Sequence, residues 1–256
     1  MKRKKVVKTA KKRVVKPTTL ATTTSADLIA PSFVDVSDTR GTEHLTRDDM
    51  QMPRLTLSQK MSNQLDPQHS SFLPDLRVGE FFNDLTGDIY GPDPLRFAVM
   101  RSDPPRGVEF SPLDEGGGVK DMNVPLDDPR MVWGDNGEVP VATRFYDYII
   151  LLLDCNEEVI ALSLARTGVK AAKSLNTLIK VRRGPSFAGA YTATPATESN
   201  NKGTYGVWKF KNDGWVSKEQ YERFTELYEN LKDRTINIER DPQPTNPEEK
   251  GSTLEI

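Results

Sequence analysis

The chain has 256 residues, 36% apolar and 28% charged, enough for one domain with a modest core and polar extensions. No apolar run approaches the roughly 20 residues of a membrane helix, and no apolar segment follows the basic N-terminus as a secretory signal requires. The single cysteine, Cys155, excludes an internal disulfide framework and fits a reducing cytosol.

The net charge of −2 conceals a segregation. Lys2, Arg3, Lys4, Lys5, Lys8, Lys11, Lys12, Arg13 and Lys16 crowd the first 16 residues without an acid, leaving 26 basic and 37 acidic residues elsewhere, a net −11. A basic arm on an acidic body points to a polyanionic partner or to self-regulation of one. Such an arm neutralises phosphates without reading sequence; a solvated tail with no specific partner is the alternative. Residues 17–40, rich in Thr, Ser and Ala, read as a linker, so residues 1–50 are expected to be a disordered basic arm and linker.

Order is expected from residue 51. Leu55 and Leu57 stand at strand spacing. Residues 72–82 are punctuated by Pro74 and Gly79 and read as short strands and turns. Asp84 to Asp88 reads as a tight turn whose acids shape the chain. Leu95 to Arg101 is the first firm strand, with Leu95, Phe97 and Val99 on one face, and Val108 to Phe110 is a second. Residues 111–140, rich in Asp, Gly and Pro, read as a long connection, a lid or mobile insertion. Gly116-Gly117-Gly118 lacks the Lys-Ser/Thr of a phosphate-cradling loop.

Phe145 to Leu153 is apolar on both faces and reads as a central strand. Asn156-Glu157-Glu158 turns the chain, and Val159 to Leu164 returns as a hairpin. Cys155, at the end of the apolar run, reads as a small buried or turn residue rather than a nucleophile. A helix follows over Val169 to Val181, with Thr167 or Gly168 placed to cap it. Ala171, Ala172, Leu175, Leu178 and Ile179 fall on one side; Lys170, Lys173, Thr177 and Lys180 fall on the other, without an acid. Arg182-Arg183 extends that charge. An ordinary solvated lysine face is the alternative.

Phe187 to Thr194 and Thr204 to Phe210 read as strands. Tyr205 and Trp208 lie on opposite faces of one strand, so about half of the local aromatics at most are free. Ser217 to Gln220 fits a capping box. The helix it opens carries Tyr221, Phe224, Leu227, Tyr228 and Leu231 as a stripe for docking on its own domain. Residues 236–256, rich in Pro and Glu, are expected to be disordered. Such a tail competes with DNA for a basic surface or docks replication or recombination proteins.

From Leu95 onward the order is strand, long loop, strand, strand, helix, strand, strand. This predicts a mainly β fold with α elements, an OB-like barrel threaded β-β-β-α-β-β over residues 51–235, with a C-terminal helix and disordered termini. Binding unpaired nucleic acid on such a barrel needs cations for phosphates and rings for bases. Arg166, Lys170, Lys173, Lys180, Arg182 and Arg183 are candidates for the first; Tyr146, Tyr148, Tyr191, Tyr205 and Trp208 are the pool for the second. No catalytic, cofactor or metal signature is present. His44 and His69 lie outside the best-patterned region, and Asp84, Asp88 and Asp147 form no metal constellation.

The segments Pro53-Arg54-Leu55-Thr56-Leu57-Ser58-Gln59, Leu76-Arg77-Val78-Gly79-Glu80-Phe81, Arg166-Thr167-Gly168-Val169-Lys170-Ala171-Ala172-Lys173 and Gly203-Thr204-Tyr205-Gly206-Val207 resemble a family of tailed-bacteriophage proteins. Its members tend to be encoded with DNA replication and recombination genes, and the likeness covers about residues 50–235. The element order is also similar to that of phage single-stranded DNA-binding proteins with OB folds. This resemblance implies a non-enzymatic protein of the host cytoplasm that coats unpaired strands, protects them and recruits polymerase or recombinase. It implies Lys170 and Lys173 as phosphate contacts and transfers no catalytic residue. Two other classes stand beside it: a virion or scaffold protein whose basic arm contacts packaged DNA or a neighbouring subunit, and an enzyme such as a nuclease. Oligomeric state is left open.

Overall fold

The structure, a computed structural model, describes residues 40–44, 51–112, 117–200 and 203–232. The basic arm, the linker up to residue 39 and the C-terminal tail therefore lie outside the described residues. The chain divides into two compact units, Met1–Leu45 and Thr46–Ile256. Of the first, residues 40–44 are exposed, mostly in turns.

The second unit is mainly β with two helices. Its strands are β1 (Arg54–Leu57), β2 (Phe81–Asn83), β3 (Ile89–Gly91), β4 (Leu95–Ser102), β5 (Arg106–Phe110), β6 (Val119–Val124), β7 (Ala142–Leu152), β8 (Glu158–Ala165), β9 (Gly189–Asn200) and β10 (Gly203–Trp215). The helices are α1 (Val169–Val181) and α2 (Lys218–Leu231). One sheet runs β10-β9-β4-β7-β8-β1-β2-β3, and β5, paired with β6, branches from β7. Neighbours are antiparallel except β1 and β8, which run parallel with Leu55 opposite Leu162. The sheet curls into a half-barrel.

β7 is the spine. Its pleat alternates two apolar sets, so it is buried on both faces, as its continuous apolar run requires. Tyr146, Tyr148, Ile150 and Leu152 point into the concave core with Phe97, Val99, Ile160 and Leu162. Ile149 and Leu151 point the other way, with Ala98 and Met100. α1 covers the concave side through Ala171, Ala172 and Leu175, and α2 covers the convex side through Phe224 and Leu231. Each such large apolar side chain, fully buried, contributes roughly 1.5–3 kcal/mol.

The curl brings β10 back beside β1. The Gln59 side chain, just past β1, accepts from the Gly206 amide at 2.8 Å and donates to the Gly206 carbonyl at 3.2 Å. Glycine at 206 suits this close approach, because a Cβ there would lie 3.0 Å from Gln59 Nε2 and 3.2 Å from Leu57 and would press both side chains back. Trp208 on β10 stacks on Phe81 of β2, centroids 4.8 Å apart, across the same seam.

One sequence expectation needs correction here. The 111–140 segment is not one long loop: it contains β6 and a 3-10 turn at Pro129–Met131. The Arg130 guanidinium bonds Glu109 at 2.7 Å, Asp121 at 3.1 Å and Asp128 at 2.8 Å, tying this turn to β5 and β6. Gly117 and Gly118 help close the β5–β6 hairpin, since Ser111 donates to the Gly118 carbonyl and Gly117 to that of Pro112. Gly168 stands at the N-cap of α1, one of the two positions expected, without a side-chain cap, and a 3-10 turn, Arg166–Gly168, leads in. The expected capping box of α2 is present, with Ser217 and Gln220 bonding each other's backbone.

Candidate nucleic-acid interface

α1 is about 20 Å long at 1.5 Å per residue. Its inward face is anchored in the concave core, so its outward face is presented on a rigid support. Lys170, Lys173 and Lys180 lie on that outward face and are exposed, as are Arg166 before the helix and Arg183 after it. Among the described residues none of these five cations lies within ion-pair distance of a carboxylate. The field of Lys170 reaches Glu198 on β9. That carboxyl is held below its usual range mainly by a hydrogen bond from Lys209, with a smaller pull from Lys170.

Both flanking arginines, Arg166 (φ 49°) and Arg183 (φ 53°), adopt the left-handed backbone region, which L-residues other than Gly, Asn and Asp seldom enter. Near the C-terminal end of α1 a hollow of about 520 Å³ is lined by Asn176, Thr177, Lys180, Val181 and Arg183.

Arg182 departs from the expected role as a phosphate contact. Its guanidinium lies between the rings of Tyr191 and Trp215, 4.9 Å from each centroid. It donates to Asn212 Oδ1 at 3.2 Å and to the Ala190 carbonyl at 3.1 Å. The side chain is used to fasten the end of α1 to β9 and β10.

The pool of aromatics also narrows. Tyr148 and Tyr191 are 2% and 1% exposed, and Tyr146 is buried as well. A base has no access to rings so placed. Tyr148 bonds Asn176 Oδ1 at 2.9 Å, and burial pushes its phenol up. Burial also raises Tyr191, against the opposing charge of Arg182. The signal for two of them lies in the sequence: Tyr146 and Tyr148 share parity with Ile150 and Leu152, and period-2 alternation sends all four inward. Trp208 is half-buried between Phe81 and Phe210. Tyr205, also half-buried, lies on the opposite strand face, cross-strand from Glu198.

Sequence reasoning missed Trp215. The strand expected to stop at Phe210 runs on through a bulge to Trp215, which is 61% exposed. Nothing in local pattern links it to Arg182, which is 33 positions away in the chain.

The residues considered for metal or catalysis are placed structurally. Asp84 pairs with Arg54, Asp88 accepts from Thr86, and buried Asp147 is held by Arg106 at 2.9 Å and by Ser163. His69 bonds Ser71 within its own turn. Among the described residues no group of three or more His, Cys, Asp or Glu is placed to hold a metal. Cys155 is half-buried, which raises its thiol.

These elements define a mainly β protein whose curled sheet carries a cationic helix on its concave side and an ordinary amphipathic helix on the other. A sequence model of the family described as Pam3 phage gp34-like protein matches residues 21–237. The chain belongs to this phage protein family. No curated protein and no solved structure matches it. No helix among the described residues is long and apolar enough to cross a membrane.

Proposed function

We propose that this protein binds single-stranded DNA, coating and protecting unpaired strands during phage DNA replication or recombination with little sequence preference and no catalytic step. The observation that carries this reading is the outward face of α1. Lys170, Lys173 and Lys180, flanked by Arg166 and Arg183, form a run of charge that no described carboxylate neutralises. Uncompensated cations on a rigid support attract polyanions by releasing condensed counterions. In this reading the half-barrel is OB-like, with α1 entering between β8 and β9 as an OB helix does between its third and fourth strands. The basic N-terminal arm adds sequence-independent attraction, the C-terminal tail docks replication or recombination proteins, and the protein works in the host cytoplasm.

The test is a titration of labelled single- and double-stranded oligonucleotides at two salt concentrations. Tighter binding to the single strand is expected, with log K falling by about 0.7 per log salt for each phosphate contacted. Equal, weak binding to both would overturn the proposal.

A virion or scaffold role is favoured by a different observation. Val132, Trp133, Val139 and Val141 are each more than 60% exposed within ten residues of one another, an apolar display suited to a subunit contact. Presence in purified particles and self-association at micromolar concentration would support that role.

A further inference from the structure

We infer that Trp215 is a base-stacking platform, receiving one nucleobase of an unpaired strand whose neighbouring phosphates rest on Lys180 and Arg183; this rests on the nucleic-acid reading above.

Trp215 carries a large indole and is 61% exposed, yet it is held firmly. Its backbone pairs with Gly189 across the β10–β9 ladder, and the next residue, Val216, donates to the Ala188 carbonyl at 3.1 Å. One side of the ring is occupied by the Arg182 guanidinium, 4.9 Å from the centroid. That guanidinium is itself fixed by Tyr191, Asn212 and Ala190. Gly189 makes the arrangement possible, because a Cβ there would lie 2.5 Å from Arg182 Nη1. A largely exposed ring backed by a guanidinium is what base stacking uses, since every base has a π-face.

The surroundings supply the phosphate chemistry. Arg182 stacks on the ring, and a Cβ on Gly184 would lie 3.9 Å from it, so the ring lies beside the backbone segment that carries Arg183. Exposed Lys180 and Arg183 line the hollow of about 520 Å³ at the C-terminal end of α1, two residues and one residue from the stacked Arg182. The carboxylate nearest in sequence, Asp213, is taken up by Arg96, which also reaches Asp154 at 3.5 Å. Gly184 carries no side chain to crowd the approach.

The experiment uses the full chain with two labelled probes of equal length, oligo(dT) and an abasic deoxyribose-phosphate oligomer. Trp215→Ala is expected to weaken oligo(dT) about tenfold and to leave the abasic probe unchanged, while Trp215→Phe keeps most of the oligo(dT) affinity. Tryptophan emission supplies an independent reading: oligo(dT) should quench the wild type, and the quenched component should be missing in folded Trp215→Phe. Equal weakening for both probes, no weakening for either, or undiminished quenching in Trp215→Phe would overturn the platform while leaving nucleic-acid binding standing. A wild type that binds neither probe would overturn both.

Discussion

The two helices lie on opposite faces of the same strands and are built differently on their outer sides. α2 has Lys218 and Arg223 against Glu219, Glu222, Glu226 and Glu229, a net −2. It is stitched to itself and its surroundings by ion pairs: Lys218 with Glu222, Arg223 with Glu157, and Lys232, at its C-terminal end, with Glu229. It is also closed at its N-terminus by a capping box. α1 has three lysines and no acid, a net +3, and no side-chain cap. Both bury an apolar stripe, so packing explains neither outer face. α2 shows how this sequence finishes a helix whose surface has only solvent to satisfy. α1 departs from that pattern in charge and in capping together, which is why its face, and not that of α2, is the candidate interface.

The largest expected effects test the shared part of the comparison. Phe224→Ala and Leu175→Ala each empty a fully buried site under α2 and α1. They should cost about 3–5 and 2–5 kcal/mol respectively in denaturant unfolding. A cost below about 1 kcal/mol at either position would mean that helix is not anchored as described. Next comes the seam: Gln59→Ala leaves both backbone groups of Gly206 without their partner and should cost about 2 kcal/mol, read by the same unfolding curves.

The difference between the helices is addressed by charge reversal. Lys170→Glu with Lys173→Glu should weaken oligonucleotide binding at least tenfold, about 1.4 kcal/mol, whereas Lys218→Glu on α2 should leave it unchanged. Similar losses from both would dissolve the distinction. Ser217→Ala should cost about 1 kcal/mol by opening the capping box. The smallest effect is set by acid. Hydrogen bonds from Arg130 hold the Asp128 carboxyl down to about 2, and hydrogen bonds from Lys120 and then Arg130 lower Glu109. Their contribution to stability is complete above the unfolded carboxylate pKa of about 4 and is lost as pH falls toward 2. Amide protection in β5 and β6 should fade across that window in wild type. In Arg130→Met the step should shrink to the part that Lys120 sustains at Glu109.

How much of this was legible in the sequence follows from how local each signal is. The β7–β8 hairpin, α1 and α2 announce themselves through apolar period and turn residues within a dozen positions. β6 does not: Lys120, Asp121 and Asn123 interrupt its apolar residues, and what holds it is Arg130, reached only after the chain has turned back. The parallel pairing of β1 with β8 and the seam between Gln59 and Gly206 join residues more than 100 positions apart. The cationic face of α1 was readable because helical periodicity alone sorts Lys170, Lys173 and Lys180 from Leu175. Trp215 was not, because its significance lies in Arg182 and the Gly184 backbone beside it. Tyr146 and Tyr148 belong to the pool of candidate rings by residue type alone, and their parity with Ile150 and Leu152 places them inward.

Gln59 offers β10 one donor and one acceptor, which is what a single residue of a neighbouring strand would offer. The closure is thus spliced by one amide in place of a ladder, and its reach is set by the number of methylenes in that side chain. Asparagine has the same amide on a shorter arm, so the gap between the end of β1 and β10 is matched at this point to a single carbon at position 59.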